Sequence, residues 1–373
     1  MNTNIDQGFT IADKTYTARQ VLTIAELGTS HGADPVKARE LIDAAAEAGA
    51  DCIKFQMVYA DEILHPNTGE VALPGGAIRL YERFKQLEVD PDFFADMKAY
   101  VESRGLLFLC TPFGIRSARE VRALKPQVIK IASPELNHTK LLREIVSYQT
   151  PVFLSTGVSK LGDIEAALGI LATESVPVCL LHCVTSYPAP VTEYNLRILT
   201  SLAAVFGLPV GLSDHSLDPE LVPVLGIAMG ACAVEKHFCL SRRDSGLDDP
   251  IALPPADFER MVRAIRQAST RDPEALIEAV SQERGAALVQ TILGDGVKRL
   301  APSEAAYYER TNRSLHALRD IQEGERITAD MVAALRTEKL LRPGLPPSWE
   351  TKIIGRISRA FIPAGEGIRF EDI

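Results

Sequence analysis

The run Pro209-Val-Gly-Leu-Ser213-Asp214-His215, a helical segment, and then Ala231-Cys-Ala-Val-Glu235-Lys236-His237-Phe238 decide the fold. Residues 210–212 and 231–234 are short apolar runs of the kind that make strands buried on both faces. Each stops abruptly in polar residues. Two neighbouring parallel strands ending this way aim His215 and His237 into one mouth. Neutral imidazole suits a first-row divalent metal, and two leave coordination positions for substrate and water. Packed or capping histidines are the plainer alternative. The matched positions and the adjacent carboxylates favour the metal.

Outward from this pair the same unit repeats. Apolar runs at 21–25, 52–55, 106–109, 128–131, 152–154 and 178–181 read as six further strands. Helical patterns separate them, at 117–123, 139–147, 161–171, 196–203 and 219–229, with another at 255–268. Asp34 is placed to cap a helix with Pro35 at its first position, and Ala38, Leu41, Ile42 and Ala45 keep its period until Gly49. Eight strand–helix units predict a (β/α)8 barrel, the TIM-barrel architecture, over residues 1–285. An open doubly wound sheet is the runner-up, but it would want a denser glycine loop than Gly28 and Gly32 provide. Residues 9–17 suggest a hairpin ahead of the barrel. Residues 57–76, rich in His, Pro, Asn and Gly, are either an active-site loop or disordered.

A barrel of this kind carries its site at the C-terminal ends of its strands. Glu26, Lys54, Thr111, Lys130, Ser133, Glu135, Ser155, His182, Ser213, His215, Glu235 and His237 all fall in or just past such an end. Lys54 and Lys130 lie inside strands, where an ammonium without an anionic partner is costly. Either they bind an anionic substrate or they pair with Glu26, Glu135 or Glu235. Residues 286–310 read as a linker within a polar, helical stretch. Residues 311–373 read as a small β-rich module with a short helix at 329–336; Glu323-Gly-Glu-Arg-Ile-Thr328 and Ala364-Gly-Glu-Gly-Ile-Arg369 repeat a turn-plus-strand pattern within it.

The balance of 40 Lys and Arg against 49 Asp and Glu, a net charge of −9, argues against nucleic-acid binding. No apolar run approaches a membrane span, and the first residues lack a basic-then-apolar leader pattern. Six cysteines without a C-x-x-C pair read as reduced, buried residues of a cytoplasmic protein.

Taken together, Ile24-Ala-Glu-Leu-Gly28, Ala48-Gly-Ala-Asp-Cys-Ile-Lys-Phe-Gln56, Thr111-Pro-Phe, Ile129-Lys-Ile-Ala-Ser133, Leu154-Ser-Thr-Gly157, His182-Cys with Tyr187-Pro188, Gly211-Leu-Ser-Asp-His215 and Glu235-Lys-His-Phe238 resemble the sialic acid synthase family. The C-terminal module resembles that family's antifreeze-like (SAF) domain. The resemblance implies condensation of phosphoenolpyruvate with an N-acylated hexose, giving a nonulosonic acid and phosphate. It implies manganese or magnesium on His215 and His237, and Lys54, Thr111, Lys130, Ser133, Thr185 and Ser213 on phosphoenolpyruvate. Glu26 would sit near the reacting carbons, and Glu135, Tyr187, Asp248 and Glu235 at sugar-binding or metal-supporting positions. Arg313 would reach the sugar site of a partner in a domain-swapped homodimer. Two departures fall on the sugar side, Pro74-Gly75-Gly76-Ala77 for Pro-Gly-Asn-Ala and Gly246-Leu247-Asp248-Asp249 for Gly-Pro-Asp-His; Thr185 also replaces a more usual Asn. They open the acceptor to a pseudaminic- or legionaminic-type precursor. A Schiff-base aldolase using Lys54 or Lys130, or a non-catalytic sugar-binding barrel, are the rival expectations.

Overall fold

A computed structural model describes residues 7–73 and 76–373, without the side chains of residues 71–73 and 76. Pro74 and Gly75 of the expected loop contrast lie outside the described residues.

Eight parallel strands close into a barrel. They are β3 (Leu22–Gly28), β4 (Cys52–Met57), β7 (Leu107–Pro112), β8 (Ile129–Ile131), β9 (Val152–Ser155), β10 (Val178–Cys183), β11 (Val210–Asp214) and β12 (Ala233–His237). The barrel closes where β12 pairs with β3, setting His237 beside Glu26. Helices follow the strands as the periodicity predicts. Asp34 accepts hydrogen bonds from the Val36 and Lys37 amides, with Pro35 at the helix start.

Strand alternation sorts the side chains. Leu22, Ile24, Cys52, Leu109, Val128, Phe153, Cys179, Leu181 and Ala233 fill the lumen. Ala25, Ile53, Ile129, Leu154, Leu180, Leu212 and Val234 face the helices. One parity therefore fixes which polar residue at each strand end points into the mouth. The predicted hairpin, β1 (Phe9–Ile11) with β2 (Lys14–Tyr16), plugs the opposite end with Phe9, Ile11 and Tyr16.

The described residues of the 57–79 excursion form a short helix (Ala60–Ile63), a 3-10 turn and an antiparallel pair, β5 (Glu70–Leu73) with β6 (Gly76–Arg79). After the barrel, helices Pro273–Arg284 and Ala286–Leu293 pack on its flank, and residues 294–312 run irregularly across the mouth.

The C-terminal module has its own core around Leu315, Ile321, Ile327, Ile353, Ile362 and Ile368. Its strands are β13 (Arg313–Ala317) and β14 (Val332–Arg336). The expected helix at 329–336 is thus a 3-10 turn (Ala329–Met331) followed by a strand. Pairing with β13 overrides the local preference. The repeated turns do recur, with Gly324 and Gly365 both at left-handed φ.

Candidate functional site

At the C-terminal rim the lumen-facing parity gathers Glu26, Lys54, Lys130, Glu235 and Ser213 into one buried network. Lys54 Nζ lies 2.7 Å from Glu26 Oε2 and 2.9 Å from Glu235 Oε2. Lys130 Nζ donates to Glu235 Oε1 at 3.2 Å, and Ser213 Oγ donates to the same oxygen at 2.8 Å. Gln56, two residues beyond Lys54 and so on the same face, donates to Glu26 Oε1 at 2.8 Å. Burial pushes the Lys54 ammonium down to about 7; Glu235 pulls it up and Lys130 pushes it further down. Burial would raise Glu235, but Lys130 and then Lys54 overcome that and hold it well below the usual carboxylate range.

Beside this network, hydroxyls wait without partners. Thr111 Oγ1 and Ser155 Oγ are buried and make no hydrogen bond among the described residues. Ser133 Oγ accepts from the Gly157 amide at 3.0 Å, and its hydroxyl also lies against the Cys183 thiol. Thr185 Oγ1 fills the space a Cβ on Gly157 would take, so glycine is required there. Two ammonium groups facing a set of hydroxyl donors form a receptor for a small polyanion.

His215 and His237 stand on the other side, with ring centres 5.5 Å apart. His215 Nδ1 donates to the Val184 carbonyl at 2.9 Å, which leaves Nε2 as its metal-facing nitrogen. Burial lowers His215, but Cys183 and the Val184 carbonyl outweigh it and raise its pKa. A metal would therefore displace a proton there. His237 is kept neutral by burial, reinforced by His215 and Lys54. Asp248 Oδ2 lies 3.9 Å from His237 Nδ1, and burial pushes its carboxyl up to about 6. No group of three or more His, Cys, Asp or Glu among the described residues is arranged to hold a metal ion. The protein offers two imidazoles, a donor set that fits a first-row divalent ion completed by substrate and water.

A cavity of about 360 Å³ opens from this point. Tyr187 stacks on His215 at 4.3 Å between ring centres and forms one wall. Val58, Ile63, Leu80, Phe84 and Phe113 form an apolar one, and Asp248, Thr185, Arg336 and Glu338 supply polar groups.

Three expectations are corrected. His182 has the outward parity of Leu180; its Nε2 is bonded to the Tyr194 carbonyl at 2.6 Å, away from the mouth. Arg313 is fully buried against the barrel of its own chain. Its Nε and Nη2 reach Glu135 Oε1 at 3.2 and 2.9 Å, and the rest of the fork goes to the carbonyls of Glu62, Ile63, Phe113 and Ala334. The guanidinium at the cavity is that of Arg336, its cross-strand partner, which also reaches Glu135 Oε1 at 2.8 Å. Glu135 thus anchors two arginines through one oxygen. Asp249 is turned from the cavity; it accepts from Ser30 Oγ and, at 2.6 Å, from the Gly246 amide, and so holds its own loop. Gln56 was within reach of sequence reasoning by strand parity; Arg336 was not, since only its pairing with Arg313 brings it there.

Fold and rim together define a TIM barrel with a buried lysine–glutamate network and two imidazoles at its mouth, followed by a C-terminal module. The comparisons agree: residues 41–274 match the NeuB family and residues 312–373 the SAF domain, and the chain belongs to the NeuB family. It is 32% identical over 369 residues to the spore coat polysaccharide biosynthesis protein SpsE of Bacillus subtilis, covering 98% of this chain and 97% of that one. The crystal structure of that protein superposes with a TM-score of 0.81 at 31% identity, covering 98% and 99% of the two chains. The N,N'-diacetyllegionaminic acid synthase of Campylobacter jejuni is 30% identical over 339 residues, 87% of this chain and 95% of that one. The pseudaminic acid synthase of the same species is 29% identical over 362 residues, 95% and 97%.

Proposed function

We propose that the protein joins phosphoenolpyruvate to an open-chain N-acylated hexose, giving a nonulosonic acid and inorganic phosphate. The observation that carries this reading is the buried Glu26–Lys54–Glu235–Lys130 network, set against unpartnered Thr111 and Ser155 hydroxyls and beside two imidazoles. The names of the relatives, an N,N'-diacetyllegionaminic acid synthase and a pseudaminic acid synthase, support a nonulosonic acid product and leave legionaminic- and pseudaminic-type acceptors open beside an N-acetylmannosamine-like one.

In this reaction C3 of the enol bonds to the aldehyde carbon, water adds at C2, and phosphate leaves with its bridging oxygen. One proton of the water ends on the new hydroxyl and the other on the phosphate. Lys54 and Lys130 hold the phosphate and carboxylate while positive charge develops at C2, with Thr111, Ser133, Ser155, Thr185 and Ser213 donating hydrogen bonds. Because these groups are already fixed by one another, little reorganisation accompanies the step. Glu26, oriented by Gln56 and Lys54, takes the proton of the attacking water. Glu235 keeps both lysines in register. Tyr187, Asp248 and Arg336 line the space for the acceptor, with Glu135 fixing the arginine. His215 and His237 would hold manganese or magnesium, which supplies Lewis-acid polarisation of the acceptor aldehyde when bound.

The module lies on its own barrel here. A homodimer that exchanges these modules would make the same contacts between copies. Six free, buried cysteines suit a reducing, cytoplasmic setting. No helix among the described residues is long and apolar enough to cross a membrane.

Phosphate release tests the metal. Chelator-treated protein should be inactive and regain activity with manganese or magnesium; full turnover after stripping would end that part of the proposal. A specific observation supports one rival. Lys54, pushed down to about 7, has the neutral fraction a Schiff base needs. Borohydride trapping of a carbonyl substrate on Lys54, insensitive to chelator, would favour it.

A further inference from the structure

Outside the rim, the most unusual polar arrangement lies in the segment joining barrel and module. Glu304 is 1% exposed, yet its carboxylate accepts only from backbone in the described bonds. Oε1 takes the Val158 amide at 2.8 Å and the Thr185 amide at 2.6 Å; Oε2 takes the Ala301 amide at 3.1 Å. One oxygen thus ties the loop after β9 to the loop after β10. Asn312 Nδ2 donates to the Val158 carbonyl at 3.0 Å, and Lys298 Nζ to the Thr156 carbonyl at 2.8 Å. Residues 156–158 are gripped by three side chains of one connecting segment.

The gripped residue is conformationally costly. Val158 has a φ of 46°. A β-branched residue rarely occupies the left-handed region and stays there only when its surroundings over-determine it. Here both of its peptide polar groups are held from the connector. The consequence falls one residue earlier, where the Gly157 amide orients the Ser133 hydroxyl and the Gly157 surface packs on Thr185 Oγ1.

We propose that Glu304, with Asn312, is a positioning residue: it clamps the strained Val158 turn so that the Ser133 and Thr185 hydroxyls meet the anionic substrate. This rests on the function proposed above for what those hydroxyls bind. The connector is then part of the anion site rather than a tether. The three amides on Glu304 are charge-assisted donors, and an alanine leaves them buried and unpaired.

The test uses the full-length protein with manganese and phosphoenolpyruvate alone, read by calorimetry, with amide exchange in parallel. Glu304→Ala should weaken phosphoenolpyruvate binding about 10–100-fold, the scale of losing charge-assisted bonds, and speed exchange at Val158 and Thr185. Glu304→Gln, which keeps an acceptor oxygen, should stay within about fivefold of wild type. Val158→Gly in the Glu304→Ala background should recover much of the affinity, because glycine takes the left-handed conformation without steric cost. A purely structural glutamate would lower thermal stability and leave phosphoenolpyruvate affinity alone. Unchanged affinity with fast exchange, or no rescue by Val158→Gly, overturns the proposal. Wild-type protein that binds no phosphoenolpyruvate would fail the functional reading instead, and amide exchange would still report the clamp separately.

Discussion

The two halves of the barrel mouth are built differently. On the side proposed for phosphoenolpyruvate, Glu26, Lys54, Thr111, Lys130, Ser155, Ser213 and Glu235 sit on strands, at lumen-facing parity, and only Ser133 and Thr185 join them from the turns that follow. On the side proposed for the acceptor, Asp248, Tyr187, Arg336 and Glu338 line the cavity from loops and from a second domain. The first half is pre-organised by its own salt bridges. The second depends on how a loop turns and how a module seats. A chain that keeps its chemistry and varies its acceptor would be expected to divide its residues this way, since loops change without disturbing the barrel.

Lys54→Met should have the largest effect. It strips Glu26 and Glu235 of a shared cation inside the protein. Unfolding free energy should drop by about 3–5 kcal/mol, and kcat/KM for phosphoenolpyruvate by roughly 10²–10⁴ from the lost charged contacts, measured by denaturant melts and phosphate release. A variant within about tenfold of wild type would mean the network is structural only. Arg336→Ala tests the other half. The acceptor KM should rise about 10–100-fold while the phosphoenolpyruvate KM stays within about twofold; Arg313→Lys, by contrast, should cost stability because its fork is saturated by buried acceptors.

Acidity offers a milder test. Lys54 is a cation below about 7 and a neutral amine above it. In the free enzyme, kcat/KM for phosphoenolpyruvate should therefore fall as pH rises past about 7, close to tenfold per unit, and Lys54→Arg should abolish that limb. A flat profile from pH 6 to about 9 would show that Lys54 keeps its charge throughout. The smallest effect is expected from Asp249→Asn. Its bonds to Ser30 and the Gly246 amide predict a loss of about 1 kcal/mol in stability and no change in acceptor preference.

The difference between the halves also explains what the sequence disclosed. A residue's position along a strand sets both its height and its face, so the lysines, glutamates and the two imidazoles could be placed from spacing alone. His182 differs by one step of the same rule: it lies one residue short of the end of β10, at the outward parity of Leu180. Asp249 carries an acid where the resemblance suggested a contact, yet the loop turn aims Asp248 at the cavity instead. Arg336 rather than Arg313 lines the cavity because cross-strand pairing and burial decide which fork reaches it, and neither is written locally. The helix expected at 329–336 yields to a strand for the same reason, a partner distant in sequence. Glu304 gave no signal at all, as its ligands are main-chain amides.

One pocket is proposed to bind phosphoenolpyruvate beside an N-acyl sugar and to join them. The direct measurement is phosphate release from phosphoenolpyruvate with manganese, across N-acetylmannosamine, other N-acylhexoses and N-acylated 6-deoxyhexoses, with the nine-carbon product confirmed by mass. Acceptor-dependent release matched by product formation is the predicted result. Phosphoenolpyruvate that stays intact with every acceptor, in folded and metal-loaded protein, would contradict it.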